Sequence, residues 1–219
     1  IGKKILESNK HLFIEKPAGL NKSETIQLLN LAKKQNKVMM VDYVYLYHPV
    51  WEKIKEELKT RSEKPLSLIT SWLKWGTFET SIIENLFCHE VALAKNLFAE
   101  SVIEARKLMS FGLISSSDIV LLELLGNKKN IGFSFINRLS ENKNKIITVK
   151  GTNGSNFIWD NNKLYEILNN EKIELPIKKI TALENECSVF IKAIKDENII
   201  STDGEFAVKV QQIMGNLTI

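Results

Sequence analysis

Two stretches of this 219-residue chain set reactive side chains in an order that chemistry can use. The first is His11-Leu12-Phe13-Ile14-Glu15-Lys16-Pro17, an apolar run that stops on a carboxylate, an ammonium and a proline. A run of that kind reads as a strand buried on both faces. Open α/β sheets gather ligands at the carboxyl ends of their strands, so Glu15 and Lys16 are candidates for a cleft. The plain alternative is a solvated Lys-Pro turn. The second stretch holds Asn85 and His89, four residues apart and therefore on one face of a helix. An imidazole with an ordinary pKa near 6.5 suits proton transfer at neutral pH, and the Asn85 amide is placed to orient it. The alternative is a core histidine among Ile82, Leu86, Leu93 and Leu97. Cys88 faces elsewhere on that helix, which argues against a Cys–His nucleophile. No two histidines stand at ligand spacing, so no metal site is expected. Tyr43, Tyr45, Tyr47, Trp72 and Trp75 are candidate platforms for a ring-shaped ligand, or simply core, and Lys74 is a candidate contact for a phosphate or hydroxyl.

The elements that position these residues follow from the apolar periodicity. Ile1 to Ser8 reads as a scrap of helix and His11 to Glu15 as the strand. A helix follows, capped by Asn21 or Ser23, with Glu24 in its first turn and Lys33-Lys34 in its last. Val38 to Val41 is a second apolar strand. Strand, helix, strand over this length is a βαβ unit with a parallel pair. Pro49 opens a helix over Val50 to Leu58. Leu66 to Trp75 alternates as a strand, Gly76 to Ser81 is a loop, and a helix spans Ile82 to about Phe98. Strands follow at Val102 to Phe111, Asp118 to Leu125, Asn130 to Leu139, Lys145 to Lys150 and Asn156 to Asp160. Their hairpin-like turns, Glu141-Asn142-Lys143 among them, predict a mostly antiparallel sheet. Lys163 to Leu168 and Lys172 to Leu175 add an edge hairpin. Two helices, Ala182 to Lys195 and Gly204 to about Leu217, close the chain.

Composition removes several function classes. A formal charge of +4, from 30 basic and 26 acidic residues, is too small and too dispersed to indicate nucleic acid. The two cysteines make neither a disulfide framework nor a zinc pattern, and a reducing cytoplasm fits. No apolar run approaches a membrane span.

From Glu15-Lys16-Pro17 through Val38–Val41 to the Tyr43–Pro49 segment, the chain resembles the Gfo/Idh/MocA family of NAD(P)-dependent oxidoreductases. Asn85 to Leu97, with His89 followed by Glu90, is similar to the family's Asp-x-x-x-His helix. Thr148 to Gly154 and the closing helices around Asp203-Gly204-Glu205 are similar as well. The resemblance implies a remnant of a Rossmann domain, residues 1–45, joined to residues 46–219, an α/β substrate and oligomerisation domain with a large, mostly antiparallel open sheet. It implies NAD or NADP as cofactor, held by Glu15, Lys16 and Pro17, with Pro17 the family's cis-proline. Lys16 and His89 are then the expected catalytic pair. Lys16, Asn85, His89 and Tyr43 are the expected contacts to a sugar, polyol or nucleotide sugar, and a homo-oligomer forms through the C-terminal sheet. Two departures stand out: none of the ten glycines falls in a G-x-G-x-x-G pattern, and Asn85 takes the place of the aspartate. Two strands and a crossover do not make a stable doubly wound sheet alone, so the sequence is expected to be part of something longer. A non-catalytic sugar-binding or assembly module on the same fold is the competing expectation.

Overall fold

The computed structural model describes residues 1–99, 101, 103–196, 202–215 and 217. Helix α1 (Gly2–Glu7) leads into β1 (Leu12–Glu15), α2 (Lys22–Lys34) and β2 (Met39–Asp42). A 3₁₀ turn (Val44–Tyr47) and α3 (Pro49–Thr60) follow, then β3 (Pro65–Trp75), a π-helical turn (Ile83–Phe87) and α4 (Cys88–Leu97). The rest is β4 (Ile103–Phe111), β5 (Ile119–Gly126), β6 (Lys129–Asn137), β7 (Leu139–Gly151), β8 (Asn156–Asp160), β9 (Lys163–Leu168), β10 (Glu171–Leu175), α5 (Ala182–Asp196) and α6 (Gly204–Gly215). Val102, where the first of the later strands was expected to start, lies outside the described residues.

The βαβ unit forms as its pattern dictates. Asn21 Oδ1 accepts from the Glu24 amide at 3.0 Å and starts α2, and β1 pairs with β2 in parallel from Leu12↔Met39 to Glu15↔Asp42. That register sets Glu15 and Asp42 side by side at the carboxyl end. The far edge of β2 is taken by the returning chain, with Val41 N donating to Thr202 O at 2.9 Å and an antiparallel bridge between Met40 and Asp203. Tyr43, Tyr45 and Tyr47 stand two apart, a spacing that would put three rings on one face of a strand, but a 3₁₀ turn forms there instead. Asp42 Oδ1 accepts from Val44 N at 2.9 Å and curls the chain, so the three rings leave in different directions.

The second sheet has eight strands in the order β10-β9-β8-β7-β3-β6-β5-β4, and every pair except β3–β6 is antiparallel. The mixed α/β class with a large, mostly antiparallel open sheet is therefore as expected. One turn is not. Because β3 lies between β6 and β7, those two strands form no hairpin, and Glu141-Asn142-Lys143 falls inside β7 where the β3–β7 register shifts between Leu73↔Asn144 and Trp75↔Leu139. At the β3–β6 crossing a Cβ on Gly132 would come 1.6 Å from the Leu68 carbonyl oxygen, so only glycine lets the strands meet.

One sheet face packs α3 and α4, with Trp51, Phe87 and Phe157 fully buried, each worth roughly 1.5–3 kcal/mol of transfer free energy. Helix α4 is buried from Cys88 to Ala94, wedged between the 3₁₀ turn, β3, β4 and α6. At the sheet's other end, Arg138 Nε meets Asp118 Oδ1 at 3.0 Å, both side chains closed to solvent. Burial alone would raise the Asp118 pKa, but the Ser115 hydroxyl and the amides of Ser115, Leu113 and Ile114 hold it far below the carboxylate range. A depressed carboxylate contributes stability above its unfolded pKa of about 3.9, and that contribution is lost as pH falls through the folded value. Asp118→Asn is therefore expected to unfold more easily than the parent at neutral pH and to converge with it in strong acid, as urea midpoints against pH would show.

Candidate active site at the end of β1

Strand β1 ends on Glu15, Lys16 follows directly, and the Lys16–Pro17 peptide is cis. From there Lys16 Nζ donates to the Asn85 backbone carbonyl at 2.7 Å, so a strand end and a helix far along the chain meet at one point. Asn85 sits in the π turn, a local widening found often at functional sites, and α4 with His89 begins directly after it. Thus Asn85 contributes its main chain to the site. Its side chain goes elsewhere: Nδ2 donates to Thr80 Oγ1 at 3.2 Å and does not orient His89. Cys88 joins the same carbonyl through its thiol at 3.5 Å, rather than facing away from the site. Burial pushes that thiol pKa up, opposed by nearby Lys16, so it is a poor nucleophile at neutral pH.

His89 is buried, makes no hydrogen bond among the described residues, and has Nδ1 sealed from solvent without a partner. Its ring stands edge-on to Tyr45, with centroids 5.0 Å apart, and tilted against Trp72 at 5.7 Å. Lys145 Nζ caps both aromatic rings, 3.5 Å from the Tyr45 centroid and 3.9 Å from that of Trp72, and lies 3.0 Å from Glu90 Oε1. Neither the Glu90 oxygens nor Lys145 Nζ has a hydrogen-bond partner among the described residues, so the contact holds them as opposite charges. Burial, then Lys145, then Lys16 drive the His89 pKa well below its ordinary value. The imidazole is therefore neutral at neutral pH and does not titrate there, a correction to the expectation from its unperturbed pKa.

Of the tyrosines, Tyr45 reaches His89. Tyr43 is only 3% exposed and packs edge-on to Phe206 at 5.5 Å, and Tyr47 bonds Thr202 at 2.7 Å. Trp75 stays on the surface against Phe78. A cavity of about 400 Å³ opens beside Thr80, Ser81 and Arg138, and neither Lys16 nor His89 lines it. Among the described residues no group of His, Cys, Asp and Glu side chains is arranged to hold a metal ion.

A third carboxyl joins Glu15 and Asp42. Glu186, on α5 and closed to solvent, has its pKa pushed up to about 8, first by burial and then by Asp42. Two carboxylates have no donor between them, so Glu186 meets Asp42 as a neutral acid. A carboxyl whose folded pKa is raised favours folding below its unfolded value of about 4.3, and that advantage drains away as pH climbs toward 8. Glu186→Gln is accordingly expected to raise the melting temperature more at pH 8 than at pH 5. An equal shift at both values would show that Glu186 does not titrate in between.

The first 43 residues match the sequence model of an oxidoreductase family, Gfo/Idh/MocA, described as having an NAD-binding Rossmann fold. Over 99% of this chain, the UDP-N-acetylglucosamine 3-dehydrogenase of Acidithiobacillus ferrooxidans superposes with a TM-score of 0.86 at 18% identity, matched over 72% of its own length. This is the Gfo/Idh/MocA fold. A dehydrogenase of Clostridium difficile shares it (TM-score 0.83, 18% identity, 98% of this chain and 73% of that one). So does an oxidoreductase of Agrobacterium radiobacter solved with NAD+, L-tartaric acid and magnesium (0.80, 13%, 99% and 72%). No curated protein matches the sequence. Within the Gfo/Idh/MocA fold the residues present suit the reactive end of a nicotinamide cofactor, since Lys16 follows Glu15 at the carboxyl end of β1 and bonds the turn from which the His89 helix starts.

Proposed function

We propose that this protein is an NAD(P)-dependent oxidoreductase that moves a hydride between nicotinamide and a hydroxyl or carbonyl of a sugar, polyol or nucleotide sugar. The reading rests on the 2.7 Å bond from Lys16 Nζ to the Asn85 carbonyl, which joins the strand-end lysine to the helix that carries His89. In this reading residues 1–45 face the cofactor and 46–219 supply the substrate side and the assembly surface, with Asn85 and Tyr43 bordering the substrate. The nicotinamide, when bound, supplies the hydride acceptor or donor. Lys16 spends one of its three donors on Asn85 and keeps two for the substrate oxygen. His89, held neutral, accepts the hydroxyl proton in oxidation and returns it in reduction. With Nδ1 sealed, Nε2 is the nitrogen left for this exchange. Glu15 supplies a countercharge beside Lys16 and Pro17 turns the chain toward the cleft.

Nicotinamide fluorescence titration with and without UDP-N-acetylglucosamine, followed by turnover, tests the reading. Binding of both with cofactor consumption supports it. Sugar binding with no cofactor consumption supports the second reading, a non-catalytic module, which is favoured by the Asn85 side chain bonding Thr80 and, among the described residues, not His89. His89→Ala is expected to lower turnover about 10²–10⁴-fold. The parent's acid limb should lie well below pH 6.5, because the imidazole protonates only there.

The solvent face of the large sheet carries Ile69 beside Phe133 and, toward β4, Met109 and Phe111, all more than a third exposed. Such a patch suits a second copy of the chain. Phe133→Lys should convert an oligomer to monomer in sedimentation velocity; an unchanged sedimentation coefficient would place the interface elsewhere. No helix among the described residues is long and apolar enough to cross a membrane. Both cysteines are free thiols, which suits the reducing, cytoplasmic setting in this reading.

A further inference from the structure

Behind His89 lies a group that the hydride-transfer reading does not use. We propose that Lys145 and Glu90 are positioning residues for His89: Lys145 sets a fixed cation behind the imidazole, and Glu90 and two aromatic faces hold that cation in place. The inference rests on the reading of His89 as the proton carrier, and it adds what keeps that histidine unprotonated at rest.

The geometry is closed on every side. Glu90, fully buried on α4, reaches Lys145 at 3.0 Å, and Lys145 comes from β7 directly opposite Trp72 of β3. The ammonium lies 3.5 Å and 3.9 Å above the Tyr45 and Trp72 rings, close enough for cation–π attraction on both. Those same two rings flank His89, so one box orients the imidazole and places the charge. Burial lowers the Lys145 pKa even with these partners present, and Glu90 opposes the fall. The titratable and charged groups near His89 are Lys16 from β1, Tyr45 from the 3₁₀ turn, Lys145 from β7, and Cys88 and Glu90 on its own helix; β3 contributes Trp72. Tyr45 adds no charge, since burial and then Glu90 push its pKa up to about 12. Lys145 outranks Lys16 among the charges that disfavour an imidazolium. The Asp-x-x-x-His pattern has a carboxylate on the same helix face, which would favour the imidazolium. Here Asn85 replaces it and a cation stands behind the ring, so the histidine is a weak base poised to accept and release a proton without resting charged.

The test is an NMR pH titration of the three histidines in the 219-residue chain. Lys145→Met keeps the unbranched stem of the side chain to within one atom and removes the charge. It is expected to raise the His89 midpoint by about one unit, tenfold in proton affinity, with His11 unchanged. Because Lys145→Met strands Glu90 in the interior, the Glu90→Gln/Lys145→Met pair is measured beside it and should also raise the midpoint, by less. A His89 midpoint unmoved in both Lys145→Met proteins would overturn the proposal. The readout needs no turnover, so a chain that transfers no hydride yet shows the expected midpoints rejects the dehydrogenase reading and leaves the charge arrangement standing.

Discussion

Lys16→Ala is expected to cost about 10²–10⁴-fold in turnover while the fold persists. The side chain is half-buried, and its contribution to the structure is one hydrogen bond to the Asn85 carbonyl, which keeps the Cys88 thiol as a partner when Lys16 is removed. The loss should fall on turnover more than on cofactor affinity, because the donors removed are those aimed at the substrate oxygen. Lys16→Arg is a sharper control. It retains the charge, but a planar fork does not reproduce a compact ammonium held at a backbone carbonyl, so it should recover little. Steady-state rates with circular dichroism melts on the same samples check both halves of the expectation. A Lys16→Ala protein that turns over like the parent removes Lys16 from the reaction.

The second large effect concerns stability. Glu90→Ala leaves the Lys145 ammonium in the interior without its carboxylate, and breaking a buried pair in this way costs about 3–5 kcal/mol. Replacing both charges should recover most of that loss, since a neutral pair of similar volume has no uncompensated charge to bury. Urea unfolding of Glu90→Ala, Lys145→Met and Glu90→Gln/Lys145→Met decides the matter. If the losses in the single variants simply add in the double, the two residues do not act as a pair.

Much of this arrangement is legible in the sequence because it is written locally. The apolar runs at Leu12 to Ile14 and Met39 to Val41, with the Asn21 cap between them, specify the parallel pair with few alternatives. Lys16 stands out because a charge at the end of a buried strand is costly unless used, and His89 because it recurs on an apolar helix face. Lys145 gives no such sign. It sits among Lys143 and Lys150 like a surface lysine, and only the pairing of Trp72 with Lys145 across β3 and β7 turns it inward. That pairing depends on β3 entering between β6 and β7, a non-local choice that the tight-turn residues Glu141 to Lys143 contradict when read alone. The tyrosines mislead for a related reason. Their alternation fits a strand, but the Asp42 carboxylate captures the Val44 amide and winds the segment into a 3₁₀ turn, which delivers Tyr45 to His89 and buries Tyr43.

The Glu15–Asp42–Glu186 group and the His89–Lys145 group respond to pH in opposite senses. A histidine held neutral contributes stability above about pH 6.5 and loses it as pH falls toward its folded value, whereas a neutral Glu186 loses its advantage as pH rises. Their ranges meet near neutrality, where the proposed chemistry needs a neutral imidazole beside a charged lysine.

Hydride transfer at Lys16 and His89 can be followed as label: reduced nicotinamide cofactor deuterated at its reactive carbon is supplied with the 3-keto form of UDP-N-acetylglucosamine, and deuterium is traced into the sugar by mass spectrometry. Label is expected in the parent's product and almost none with Lys16→Ala or His89→Ala. Equal labelling by the parent and both variants, or none from the parent while cofactor and sugar are both bound, would contradict it.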